Sequence, residues 1–97
     1  MNDNRFDESY FELTPQLEHR ALMAYFKQAT RDSERVVQPE SVEGRELDGR
    51  QYIVLVSQGI LAVYRIKNDG LLRRLKRYPK ELIRIYDQGD DEDAQPG

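Results

Sequence analysis

Ninety-seven residues, 38% of them apolar, make at most one small domain, with a core small enough that a partner or second copy could supply part of its stability. There are no cysteines and only one histidine, which excludes disulfides, thiol chemistry and a metal site built from several histidines. The net charge of −3 averages three unlike blocks: −4 over residues 1–64 (7 basic, 11 acidic), +6 over 65–84 (8 basic, 2 acidic) and −5 over 85–97 (5 acidic).

Residues 1–13 show no period and read as a flexible N-terminal arm, which Phe6, Tyr10, Phe11 and Leu13 could anchor on the domain. Thr14-Pro15 is a helix start: threonine caps exposed N–H groups, and proline at the first helical position loses no hydrogen bond. Leu17, Ala21, Leu22, Tyr25, Phe26 and Ala29 follow at helical spacing, so an amphipathic helix is expected over 15–31. Residues 31–41 are polar and contain Pro39; they read as a connector, with a short extended piece at 35–38.

The period then changes to two. Asp48-Gly49 is a two-residue hairpin signal, joining a polar edge strand at 42–47 to an apolar strand at 50–57. Ser57-Gln58-Gly59 leads to a strand at 60–67, and Asn68-Asp69-Gly70 to a fourth at 71–78, which Pro79 ends. In this register Tyr52, Val54, Val56, Ile60, Ala62, Tyr64, Ile66 and Leu72 share one face, suited to covering by the helix. Ile53, Leu55, Leu61, Val63 and Leu75 share the other, next to Arg65, Lys67, Arg73 and Arg77. Left uncovered, those five residues would form an apolar interface, and a homodimer through it is expected. Residues 80–86 fit a short helix or a strand. The domain is expected to span 14–87, and residues 88–97, with Asp90-Asp91-Glu92-Asp93, read as a disordered acidic tail. The fold expected is α+β: an N-terminal amphipathic helix on an antiparallel meander of about four strands, closed by a short C-terminal element.

Catalytic chemistry is sparse. His19 sits on the helix with no nucleophile near it in sequence, and no serine has the glycine-flanked turn of a nucleophile elbow. Gly44, Gly49, Gly59 and Gly70 are spread one per expected turn and match no phosphate-binding loop. Glu43, Glu46 and Asp48 could form an acid–base pair, but they fall where solvated charge is expected. No catalytic residue, metal or cofactor is expected.

Binding chemistry is concentrated in Arg65, Lys67, Arg73, Arg74, Lys76, Arg77 and Lys80. Arg65 should lie directly opposite Arg73, an unfavourable pairing unless an anion compensates it. Three readings stay open: protection of an exposed sheet edge, docking of an acidic protein surface or the chain's own tail, and nucleic acid stacked on Tyr64 and Tyr78. The sequence pI of about 5.2 argues against nucleic acid. No apolar run approaches the ~20 residues of a membrane helix, and the acidic, polar start does not read as a signal peptide. By elimination, the expected function is a non-catalytic protein-interaction module, a cytoplasmic regulator or adaptor that binds an acidic protein surface. A nucleic-acid-binding accessory protein using strand 71–78 is the alternative, and a small enzyme comes third.

Overall fold

The computed structural model describes residues 10–32 and 35–86; the expected disordered tail at 88–97 and most of the expected flexible arm lie outside them. Five antiparallel strands form one sheet in sequence order: β1 (Tyr10–Phe11), β2 (Ser41–Leu47), β3 (Arg50–Val56), β4 (Ile60–Ile66) and β5 (Leu72–Arg74). Helix α1 (Pro15–Arg31) packs on one face of the sheet, and a short helix α2, over residues 80–86, packs on the other. The class is α+β, as the alternation of periods predicts. No helix among the described residues is long and apolar enough to cross a membrane.

α1 begins where the capping signal places it. The Thr14 hydroxyl accepts a hydrogen bond from the Leu17 N–H at 3.1 Å, and Pro15 occupies the first turn. Without a glycine to end it, the helix closes on Asp32, whose N–H bonds the Gln28 carbonyl at 2.9 Å. Ala21, Tyr25 and Ala29 are buried, and Leu17, Leu22 and Phe26 flank them. Residues 35–38 do not form a strand.

The hairpins follow the turn chemistry. Asp48 and Gly49 both adopt positive φ, at 52° and 77°, as a two-residue turn of this hand requires. In the β4–β5 loop, Lys67 N–H bonds Leu71 O at 2.8 Å and Asp69 Oδ1 accepts from Leu71 N–H.

Three expectations need correction. First, the two faces are mixed differently. Val56 pairs with Ile60, but Leu55 pairs with Ala62, so a bulge leaves Leu61 without an opposite number. A slip of one residue inverts every side chain on the neighbouring strand. Ile53 and Leu55 therefore join Ala62 and Tyr64 beneath α1, while Tyr52 and Val54 join Val63 beneath α2. Second, β2 is not an edge strand, because the end of the N-terminal arm pairs with it as β1: Tyr10 with Arg45, and Phe11 with Gly44. Third, Gly44 serves no turn. A Cβ there would stand 2.6 Å from the Phe11 carbonyl oxygen and 2.9 Å from its ring, so glycine is what lets β1 approach. Gly44→Ala is expected to cost about 1–3 kcal/mol and to speed amide exchange at Tyr10 and Phe11. Unchanged exchange at both would refute this account of the glycine.

Candidate functional site

β5 forms one edge of the sheet, and its pairing with β4 holds the register the loop predicts. Arg65 stands opposite Arg73, Tyr64 opposite Arg74 and Ile66 opposite Leu72. The bonds from Lys67 N–H to Leu71 O and from Leu75 N–H to Val63 O bracket the Arg65–Arg73 pair, so Arg73 directs its amide groups at β4. Those of Leu72 and Arg74 alternate outward, to an edge that no described strand occupies. The strand expected over 71–78 is only Leu72–Arg74: beyond it the chain bends at 76–77 and enters α2 after Pro79.

The basic run divides into three groups. Arg73, Lys76, Arg77 and Lys80 are exposed along the edge and its continuation, and Lys67 is exposed beside the β4–β5 loop. Arg74 is drawn back over α1: its Nη1 donates to Gln28 Oε1 at 3.0 Å, and its guanidinium lies 5.9 Å from the Tyr25 ring centroid. That contact fastens β5 to the helix and takes Arg74 out of the exposed set. Arg65 is partly buried, and its Nε has neither solvent contact nor a hydrogen-bond partner. Among the described residues none of Arg65, Lys67, Arg73, Lys76, Arg77 or Lys80 forms an ion pair. A cleft of about 350 Å³ lies beside the edge, lined by Gln28, Arg74, Leu75, Lys76 and Tyr78.

The candidate apolar interface is not brought together. Ile53 and Leu55 are buried beneath α1, with Leu61 packed at the margin of the same cluster. Val63 and Leu75 lie beneath α2, where Leu82 is fully buried between Tyr52, Val54 and Val63. The exposed patch on which self-association was expected is therefore not present. Of the two tyrosines that base stacking would need, one is buried and the other partly buried. Tyr64 is 3% exposed beneath α1, and burial pushes its phenol pKa above the ordinary value. Tyr78 packs against the cluster under α2.

The acid cluster separates as well. Glu43 and Glu46 are three residues apart on one strand, so they point to opposite faces, and Asp48 is in the turn. His19 is exposed on α1, while the Ser41 hydroxyl donates to Glu43 Oε2 at 3.1 Å. No group of three or more His, Asp or Glu side chains converges among the described residues.

Sequence reasoning missed a polar latch. Tyr86, at the end of α2, donates its hydroxyl to Glu43 Oε1 at 2.5 Å and accepts from Arg45 Nε at 2.9 Å. Arg45 Nη2 reaches Glu43 Oε1 at 3.3 Å, and its guanidinium lies between the rings of Tyr10 and Tyr86. β1, β2 and α2 are thus tied at one point. Only the alternation Glu43-Gly44-Arg45, which puts two charges on one face, hints at it.

The chain matches no known protein-family model, no curated protein and no solved structure. The functional reading therefore rests on the site itself.

Proposed function

We propose that the protein is a small non-catalytic interaction module, a cytoplasmic regulator or adaptor, which docks an acidic protein surface along its β5 edge. The observation that carries this reading is the Arg65–Arg73 pair: two cations directly opposed across a ladder, with no described carboxylate between them, on an open edge that continues into exposed Lys76, Arg77 and Lys80. Like charges directly opposed are destabilising, and an acidic partner removes that cost on binding. Nucleic acid is supported less well, because Tyr64 is buried and Tyr78 is partly buried against the cluster under α2.

In the test, wild type and Arg73→Glu/Arg77→Glu are compared for capture of acidic proteins from native lysate and for binding to polyglutamate. The wild type is expected to bind at ~50 mM salt and to weaken as salt screens the contact, and the variant to bind about tenfold or more weakly. Equal binding by both proteins would sink the proposal, as would a preference for duplex DNA over polyglutamate.

A further inference from the structure

The register gathers four cations at one end of the sheet. Arg65 stands between Tyr52 on β3 and Arg73 on β5. Extending that register by two residues beyond the Tyr52–Arg65 pair would set Arg50 beside Lys67, and both line one cleft. The period of two sets Arg50, Arg65, Lys67 and Arg73 on the face that α2 covers elsewhere. Neighbours on such a face have Cβ atoms roughly 5–7 Å apart. A cleft of about 360 Å³ opens here, lined by Arg50, Gln51, Arg65, Lys67 and Asn68, with Glu46 on its wall. Its lining carries three cations and one carboxylate, an excess of two positive charges. Among the described residues none of the four cations has an ion-pair partner. The Nε of Arg65 is buried without a hydrogen-bond acceptor, a donor that the described fold leaves unsatisfied beside the cleft.

We infer that this cleft binds a phosphomonoester, presented as a phosphorylated side chain within an acidic segment of the partner protein. The inference rests on the proposed function and specifies what the partner carries. A phosphorylated side chain brings a charge of about −1.5 to −2 and three acceptor oxygens, which matches the excess in the cleft. A carboxylate brings one charge and two oxygens, and would leave the cluster with unmatched cations. Arginine's planar fork suits phosphate in particular, because two N–H groups can meet two oxygens of one anion. The surroundings favour a single phosphoryl group over a nucleic-acid strand. Glu46 lines the cleft, Asp48 lies in the turn next to its Gly49, and Tyr52 and Tyr64, the nearby rings, are buried. A polyanion needs a cationic track and stacking faces, and the cleft offers one compact cluster.

The test uses the full chain and three versions of one acidic decapeptide, with phosphoserine, glutamate or serine at the centre, beside a single-stranded DNA decamer. Affinities are read by titration calorimetry at ~50 mM salt. The phosphoserine peptide is expected to bind about tenfold tighter than the glutamate peptide. Arg50→Gln/Lys67→Gln changes two exposed residues, and urea denaturation verifies that it folds. It is expected to abolish that preference while still binding the glutamate peptide. Equal affinity for the phosphoserine and glutamate peptides overturns the phosphate site, as does a preference that survives in the double variant. In either case, a bound glutamate peptide leaves the acidic-surface reading intact. DNA bound as tightly as the phosphopeptide overturns the assignment in favour of nucleic acid. Failure of all three peptides to bind removes both this inference and the proposal beneath it.

Discussion

Replacing Leu82 with alanine is expected to destabilise the fold by about 2–5 kcal/mol, the range for truncating a buried leucine that leaves a cavity. Leu82 is fully buried, and it is the one residue of α2 with no exposed surface. It fills the space above Tyr52, Val54 and Val63, with Ile85 and Tyr86 beside it. α2 spans only residues 80–86, too short to be helical in isolation, so its order depends on that contact. A domain of this size has about 5–15 kcal/mol in hand, and the substitution takes a large share. The midpoint of thermal unfolding should fall by roughly 10 °C or more. Tyrosine fluorescence can follow the transition without interference, since the chain has no tryptophan. A weakly structured α2 predicts a second effect: rapid proteolysis near residues 80–86 while the sheet stays intact. A loss under about 1 kcal/mol would show that Leu82 is not the anchor and that the surrounding side chains close the gap.

Much of this architecture is local in origin and could be read from the chain. α1 is set by Thr14-Pro15 and by a stripe whose members touch the sheet at the helical repeat. The hairpins are set by residues that tolerate positive φ, at Asp48-Gly49 and Gly70. What could not be read is set by contacts distant in sequence. β1 has two residues, too few to show a period, and it exists because Gly44 admits Phe11 more than thirty positions away. The bulge at Leu61 leaves no compositional trace, yet it inverts β3 relative to β4 and buries residues the alternation had exposed. Residues 80–86 carry both helical and strand patterns, and the apolar face above Val54 and Val63 selects the helix. The candidate site shows the same division. The basic run is plain in the sequence, but the withdrawal of Arg74 to Gln28 and the addition of Arg50 to Arg65 and Lys67 depend on packing and register.

Replacing Arg45 with methionine, a side chain of similar length without charge, is expected to cost about 2–4 kcal/mol, less than the ~3–5 of a fully buried pair broken on one side. The discount follows from the partner: the Arg45 side chain is 9% exposed and that of Glu43 is 30% exposed, so water can partly re-solvate the carboxylate left behind. The Tyr86 hydroxyl then loses its donor, Tyr10 loses the cation beside its ring, and β1 and α2 loosen together. Glu43→Gln in the Arg45→Met background should cost much less than in the wild type, because the charge it removes has already lost its partner. The latch also makes stability sensitive to alkali. Burial first, and then the hydrogen bond to Glu43, push the Tyr86 phenol well above its ordinary pKa of about 10. The folded chain therefore holds this proton more tightly than the unfolded chain does. The stabilisation is whole below about pH 10 and is lost as pH rises from there through the folded value. Tyr86→Phe should reduce the slope of stability against pH above about 10, and Tyr64, raised by its own burial, should account for part of the remainder. Urea denaturation between neutral pH and pH 11 reads both effects. If the Tyr86→Phe profile keeps the wild-type slope, the phenol is not the group whose ionisation opens the latch.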